Sequence, residues 1–304
     1  MNQNKQGDWK GHTRGGTFGY GFFILLIRLL GIKVAYAFLC LVVVYFIPFA
    51  PKATCATWRY ARNILHYGYF RSVGFLFLNY YRLGQTLIDK VAIGLGQVHS
   101  YHFDFGENYE DFLDILNGQQ GVILIGAHVG NWEIGAPFFN DYGKKMNIVM
   151  FDAEYQKIKD LLAKHRDESH YKVIPVNEDN LTHVFRISDA LNRNEYVCFQ
   201  GDRFAKGTQT LSAFFMGKEA FFPAGPYLLA SRLDVPVIFY FAMREKGMRY
   251  SFNFVLAEPV EKGKGKKPEE AILGQYIKAL ETIIRNYPEQ WFNYYDFWKQ
   301  HKQV

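Results

Sequence analysis

A nearly unbroken apolar run from Gly21 to Ala50 limits this chain more than any other feature of its sequence. Only Arg28 and Lys33 interrupt the run, and the 17 residues of Val34–Ala50 carry no charge. That length is the lower limit for crossing a hydrocarbon core of about 30 Å. A cleaved signal peptide fits less well, because the run is too long and no small-residue cleavage pattern follows it. The run predicts a membrane-inserted helical segment, with a buried core helix as the alternative.

Charge is distributed unevenly along the chain. Residues 1–90 hold 11 Lys or Arg against 2 Asp or Glu, a net charge of +9, and the remaining 24 against 27 give −3. A basic segment that is also apolar is typical of a surface that contacts anionic lipid. Nucleic acid is a weaker alternative, since no helix-turn-helix, zinc-finger or RNA-binding signature accompanies the charge. Basic residues flank both sides of the apolar run, so the positive-inside rule leaves open whether it spans the bilayer or lies in one leaflet.

The three cysteines argue for a reducing compartment. Cys40, Cys55 and Cys198 are widely spaced and odd in number. Such a set does not form a disulfide framework, and it includes no closely spaced pair of the kind that binds zinc. We expect no metal and no other cofactor.

Beyond the apolar run, the pattern predicts an α/β fold. Residues 54–82 predict a second helix, rich in arginine and aromatic residues, that lies along a membrane surface. Short apolar segments then alternate with amphipathic ones, and two adjacent strands follow late in the chain. This order predicts a mixed central sheet flanked by helices, behind an N-terminal membrane-associated helical segment. The predicted strands are residues 99–105, 121–127, 146–151, 195–200, 211–216, 236–243 and 249–257, and the predicted helices are 108–118, 131–143, 155–168, 181–193, 224–233 and 268–286.

His128 follows one of the predicted buried strands, in the stretch "GVILIGAHVGNWEIG". Ligands of open α/β sheets bind at strand ends, so this position favours a functional role. Gly126 and Gly130 allow a sharp turn, Asn131 is a candidate N-cap, and Glu133 then falls in the first helical turn. A carboxylate close to the imidazole would favour the tautomer that accepts a proton. The alternative is structural, with the histidine capping a strand and the glutamate stabilised by the helix dipole.

A second polar block follows another predicted strand end. In "QGDRFAKG", Asp202 and Arg203 come directly after the strand at 195–200. An acid and a base at this place can converge with His128 on one crevice. The plain alternative is a local turn with solvated charges.

These motifs together resemble the lysophospholipid acyltransferase superfamily, and specifically its bacterial lipid A late acyltransferases, the lauroyl and myristoyl transferases. The resemblance lies in "AHVGNWE", in "GDRFAKG" with "FFMGKEAFFPAGPYLLA", and in the terminal "PEQWFNYYDFW", and it covers nearly the whole chain. It implies that His128 deprotonates a hydroxyl of the acceptor lipid, which attacks an acyl thioester without an acyl-enzyme. Glu133 would be the acidic partner of the motif, and Asp202 with Arg203 would organise the acceptor or the transition state.

The resemblance also implies the partners and the location. The donor would be acyl-acyl carrier protein, the acceptor a lipid A precursor, and the site the cytoplasmic face of the inner membrane. Residues 1–52 would form the membrane anchor and residues 53–304 the catalytic domain. The predicted substrate-binding residues are Gly130, Asn131, Arg203, Phe214 and Phe215. Phenylalanines 214, 215, 221 and 222 could line an acyl tunnel, although such residues more often belong to the core.

Several alternatives stay open. Asp202 competes with Glu133 for the role of orienting His128, and the motif favours Glu133. The acceptor could also be an aminolipid or a glycosylated phospholipid, and the donor could carry coenzyme A. A thioester hydrolase is the nearest other enzyme, although no G-x-S-x-G nucleophile elbow is present. A membrane lipid-binding protein without activity is the non-enzymatic alternative.

Overall fold

A computed structural model of the chain describes residues 16–106, 109–135, 143–151, 171–176, 181–205, 207–260 and 267–299. The helices are α1 (Gly16–Leu30), α2 (Ile32–Phe49), α3 (Pro51–Asn63), α4 (Tyr69–Gly94), α5 (Tyr109–Asn117), α6 (Thr182–Asn192), α7 (Ala224–Arg232) and α8 (Pro268–Asn286). The strands are β1 (His102–Asp104), β2 (Val122–Gly126), β3 (Met146–Phe151), β4 (Tyr171–Val176), β5 (Tyr196–Gln200), β6 (Thr210–Phe215), β7 (Lys218–Pro223), β8 (Val237–Arg244) and β9 (Arg249–Leu256).

The apolar run forms two helices rather than one. α1 and α2 are separated at Gly31, and α2 is the one helix among the described residues that is long and apolar enough to cross a membrane. The expectation of a single helix over residues 54–82 is wrong, because the chain turns between α3 and α4. His66 takes a positive φ of 53° in that turn, and the Tyr67 carbonyl accepts a hydrogen bond from the Arg62 side chain.

A seven-stranded mixed sheet forms the centre of the described fold, in the order β1-β9-β8-β2-β5-β3-β4. β2 pairs in parallel with both β5 and β8, while β8 and β9 are antiparallel. The expectation of a mixed α/β sheet flanked by helices, with an apolar N-terminal helix, is confirmed. Two strands were not expected: β4, an edge strand that contains Pro175, and β7, which returns from β6 through a tight turn at Met216–Gly217.

The strands bury side chains on both faces of the sheet. In β2, Ile123 and Ile125 belong to one apolar cluster, whereas Val122 and Leu124 belong to the other. α7 and α8 contribute to the first cluster, and α2, α4 and α5 contribute to the second. Because both faces of the sheet are buried, the sequence of β2 is continuously apolar instead of alternating between apolar and polar residues.

Two expected helices lie wholly or partly outside the described residues. They are the helix at 155–168 and the helix at 131–143, of which residues 136–142 are not described. Within the described part, the chain after Asn131 forms a short 3₁₀ helix, Trp132–Gly135.

Candidate active site

His128 and Asp202 follow neighbouring strands and meet at the edge of the sheet. β2 and β5 are parallel and in register, with Gly126 opposite Gln200, so residues two places beyond each strand end lie side by side. The His128 Nδ1 atom lies 2.8 Å from Oδ1 of Asp202. The backbone N–H of His128 donates to Oδ2 of the same carboxylate at 3.1 Å. One carboxylate therefore fixes both the ring and the backbone of the histidine.

The two side chains differ in exposure, so that a ligand can reach the histidine but not the aspartate. The Asp202 side chain is 1% exposed and the His128 side chain 25%. Burial alone would raise the pKa of Asp202. The attraction and hydrogen bonds from His128, together with the nearby Arg203 guanidinium, instead hold that pKa below its ordinary value. An ionised Asp202 accepts the Nδ1 proton, which leaves Nε2 as the proton-accepting nitrogen.

Two buried tyrosines hold the strand ends that carry this pair. The Tyr276 hydroxyl, from α8, donates to the Gly126 carbonyl at 2.9 Å, and the Tyr227 hydroxyl, from α7, donates to the Gly201 carbonyl at 2.8 Å. The Gly201 N–H in turn donates to the Gly126 carbonyl at 2.9 Å. Burial raises the pKa of both tyrosines well above the ordinary value, so their hydroxyls remain donors.

The loop that carries His128 also pairs with residues 290–292, near the C-terminus. Val129 and Trp291 form an antiparallel bridge, and the Phe292 N–H donates to the His128 carbonyl at 3.0 Å. Trp291 is buried in the apolar cluster beside this bridge. The backbone on both sides of the histidine is thus fixed by hydrogen bonds to distant parts of the chain.

Gly130 and Gln290 complete this pairing. Gly130 has a φ of 61°, and a Cβ there would collide with the Ala242 carbonyl, so only glycine fits without strain. Its N–H donates to the Gln290 carbonyl at 2.9 Å. The Gln290 side chain accepts from the Arg244 N–H at 2.9 Å and donates to the Arg244 carbonyl at 2.8 Å. The loop is therefore joined through Gln290 to β8.

Glu133 is placed differently from the expectation. Its carboxylate pairs with Lys90 of α4. Between Glu133 and His128, both within the described residues, the structure forms no hydrogen bond or ion pair. The expectation that Glu133 is the carboxylate in contact with His128 is therefore corrected to Asp202. The physical reason is the register of β2 and β5, which brings the second block next to the histidine.

Asn131 and Arg203 both contact protein groups. The Asn131 amide donates to the Thr86 carbonyl and to the Tyr250 hydroxyl, each at 3.3 Å, instead of capping the following helical turn. The Arg203 guanidinium donates to the Phe292 carbonyl and lies over the Tyr295 ring, 5.7 Å from its centroid. Both side chains join the site to neighbouring segments, and their assignment to substrate stays a prediction.

The two phenylalanines of the predicted substrate set lie on opposite sides of β6. Phe214 is exposed, whereas Phe215 is fully buried, with its ring centroid 5.6 Å from that of Trp291. Phe222, on the paired strand β7, is buried against the same cluster. Phe215 and Phe222 therefore lie in the core. An acyl-binding role for the exposed Phe214 stays a prediction.

Chemically, this arrangement can act as a general base with an orienting group. A half-buried imidazole has one nitrogen fixed by a buried carboxylate and the other available to take a proton. Metal chemistry would need more ligands than these two residues. Within the described ranges, no group of three His, Cys, Asp or Glu side chains is placed to hold a metal ion.

Sequence reasoning missed the residues that hold the site together. Gln290 lies in the terminal motif "PEQWFNYYDFW", which marked the segment as unusual without showing that it pairs with the histidine loop. Tyr227 and Tyr276 carry no local signal, because the carbonyls they bind are far away in the sequence. Asp89 of α4, which accepts hydrogen bonds from the Arg244 and Tyr250 side chains, did carry such a signal, since only it and Asp8 are acidic among residues 1–90.

Comparison with protein families gives a match that covers most of the chain. The model described as bacterial lipid A biosynthesis acyltransferase matches residues 68–300, a range that begins at the start of α4. The matched range contains His128, Glu133, Asp202 and Gln290. A comparison with curated proteins finds no match. With the family model spanning well over half of its length, the chain belongs to the bacterial lipid A biosynthesis acyltransferase family.

Proposed function

We propose that the protein transfers a fatty acyl chain from acyl-acyl carrier protein to a hydroxyl group of a lipid A precursor. Family membership supports acyl transfer in lipid A synthesis. The single observation that carries the mechanism is the 2.8 Å contact between His128 Nδ1 and Asp202. In this proposal His128 is the general base, and Asp202 orients it.

Each proton and bond has a place in this mechanism. Nε2 of His128 takes the proton of the acceptor hydroxyl as the oxygen attacks the thioester carbonyl carbon. Asp202 stabilises the imidazolium that forms, because its carboxylate is ionised and already bound at Nδ1. The tetrahedral intermediate then collapses, the carbon–sulfur bond breaks, and the leaving thiolate receives the proton from Nε2. The product is an ester, and no covalent acyl-enzyme forms.

The location and domain division belong to the same proposal. An acceptor with several acyl chains lies in a membrane, and α2 is apolar enough to enter one. We place the protein on the inner membrane with its site facing the cytoplasm, where acyl carrier protein is available. Residues 1–52 would be the membrane anchor and residues 53–304 the catalytic domain. Gly130, Asn131, Arg203 and Phe214 remain our candidates for contacts with substrate.

The experiment is an acyl-transfer assay with the full-length protein in detergent or vesicles. Acyl-acyl carrier protein and acyl-coenzyme A are compared as donors, and a lipid A precursor, an aminolipid and a glycosylated phospholipid as acceptors. His128→Asn is the key variant, since the asparagine amide can still donate to Asp202 but has no Nε2. His102→Asn, at an exposed position of β1, is the matched control. Transfer that survives His128→Asn would overturn the mechanism.

A thioester hydrolase is the second candidate, because an oriented histidine can also activate water. A hydrolase would release free fatty acid in the absence of acceptor, and adding acceptor would not reduce that release. A protein that binds the acceptor but neither transfers nor hydrolyses acyl groups would instead be a lipid-binding member of the family.

A further inference from the structure

The apolar helix α2 has two faces with different surroundings. One face is buried against the domain and consists of Ile32, Ala35, Leu39 and Val43. The other exposes large apolar side chains: Val34, Leu41, Val44, Tyr45 and Phe49. Spacings of three, four and seven residues place the members of each set on one side of the helix. α2 therefore packs against the domain with one face and presents an apolar surface with the other.

Polar bonds attach the buried face of α2 to the domain. The Tyr36 hydroxyl donates to Oδ1 of Asp89 in α4, and the Arg244 guanidinium lies 3.1 Å from the same hydroxyl. Nε of Arg244 donates to Oδ2 of Asp89 at 2.8 Å, and both of these side chains are buried. A helix with its tyrosine bound to a buried ion pair cannot move away from the domain without exposing that pair.

Contacts between α2 and α4 continue along both helices. Leu39 lies over Gly84, where a Cβ would collide with the leucine side chain. Further on, the Phe46 ring lies 6.2 Å from that of Tyr80, and the Tyr80 hydroxyl contacts Thr54 at 3.1 Å. The contacts pair residues 36, 39 and 46 of α2 with residues 89, 84 and 80 of α4, in that order. The two helices are antiparallel neighbours over about ten residues of each.

These contacts limit how α2 can enter a bilayer. If α2 crossed the membrane along its axis, α4 would cross beside it. Arg82, Asp89 and Lys90 would then lie at hydrocarbon depth, where charged side chains are costly. We infer that α2 lies in the plane of one leaflet, with its exposed apolar face in the acyl chains and its buried face on the domain. This inference rests on the membrane association in the proposed function.

The surroundings of the exposed face suit a phospholipid surface. Arg28, Lys33 and Lys52 are exposed close to the two ends of α2, where they can meet anionic headgroups. Tyr45 and Phe49 stack with their centroids 4.6 Å apart, an aromatic pair of the kind that favours the membrane interface. α1 extends the surface with exposed Leu25, Leu29 and Leu30. The occupant of this face is one leaflet of an anionic phospholipid bilayer.

Depth measurements along α2 test this inference. In full-length protein with Cys40, Cys55 and Cys198 replaced, single cysteines at Val34, Leu41 and Phe49 carry a fluorescent label. The protein is bound to vesicles of phosphatidylethanolamine and phosphatidylglycerol, and quenching is compared between nitroxides in the headgroup and nitroxides in the mid-chain. Positions 34 and 49 are about 22 Å apart along the axis at 1.5 Å per residue. Asn192→Cys, an exposed position at the C-terminal end of α6, is the control.

An in-plane helix gives one depth for all three labels, close beneath the headgroups, and no quenching at residue 192. A spanning helix places Leu41 deepest and the other two positions near opposite surfaces, which would overturn the inference. Val44 replaces Leu41 if that label disturbs the thermal transition. Absence of quenching at every position refutes this inference and the membrane association, while the acyl-transfer assay still decides the catalytic part of the proposed function.

Discussion

Two aspartates are buried in the part of the chain that the structure describes, and their partners differ. Asp202 contacts His128, whose side chain is partly exposed and carries a second ring nitrogen that a ligand can reach. Asp89 contacts Arg244, which is buried on all sides and permanently charged. Tyrosine hydroxyls complete the surroundings of Asp89: Tyr36, Tyr101 and Tyr250.

This difference leads us to expect different roles for two similarly buried carboxylates. A carboxylate bound to a titratable and accessible base can hold that base in the form that takes a proton from a ligand. A carboxylate bound to arginine and enclosed by hydroxyls, as Asp89 is, is fully buried and not accessible to a ligand. It joins α2, α4, β8 and β9 instead. The first pair should therefore govern turnover, and the second should govern stability.

The largest expected effect is on turnover in His128→Asn. Loss of general-base assistance should lower kcat by about 10²- to 10⁴-fold. The melting temperature should change little, since the amide replaces Nδ1 as donor to Asp202. Steady-state acyl transfer and thermal unfolding of the same preparation measure both. If His128→Asn were both inactive and unfolded, the Asp202–His128 pair would govern stability as well, and the expected difference from the Asp89–Arg244 pair would be wrong.

Asp89→Asn should have the largest effect on stability. Removing one charge of a buried ion pair typically costs about 3–5 kcal/mol, because the other charge is left without compensation. Denaturant unfolding in detergent measures this loss. The double variant Asp89→Leu with Arg244→Met should recover part of the loss, because it removes both charges together. If Asp89→Asn kept its stability but lost kcat, Asp89 would belong to the reaction instead.

Asp202→Asn should lower kcat by about 10- to 100-fold, since a hydrogen bond to a charged group is worth about 1.5–3 kcal/mol. Because the pKa of Asp202 is lowered in the folded protein, its stabilising contribution is present above the ordinary pKa of about 4 and is lost as pH falls through the lowered value. Wild type should therefore lose its stability advantage over Asp202→Asn in acid. A stability difference that does not change with pH would contradict this.

The sequence could predict where His128 and Asp202, the groups of the proposed mechanism, lie, because the signal for a buried strand is local. β2 and β5 appear as short apolar runs, and His128 and Asp202 directly follow them. The choice between Glu133 and Asp202 could not be made in the same way. Closeness along the chain favoured Glu133, whereas the contact depends on the pairing of β2 with β5, 74 residues away.

The same limit applies to the rest of the fold. The Arg244–Asp89 bond joins residues 155 apart, and no periodicity or motif in either segment indicates the other. The break between α3 and α4 was missed because an aromatic, basic stretch keeps a helical pattern through the turn at His66. The β6–β7 hairpin was missed because Met216, instead of the usual asparagine or glycine, takes the first positive φ of its turn.

The smallest effect is expected in Glu133→Gln. The Lys90–Glu133 pair is partly exposed, at 47% and 23% of the two side chains, so solvent screening limits its contribution to less than about 1 kcal/mol. Turnover should fall by less than about fivefold, and Lys90→Met, which breaks the same pair from the other side, should match it. Combined with Asp202→Asn, the Glu133 effect should be additive, because the two carboxylates share no partner. A loss in Glu133→Gln as large as that in His128→Asn, with Lys90→Met and Asp202→Asn both active, would return the orienting role to Glu133. It would also mean that the loop after His128 rearranges when substrate binds.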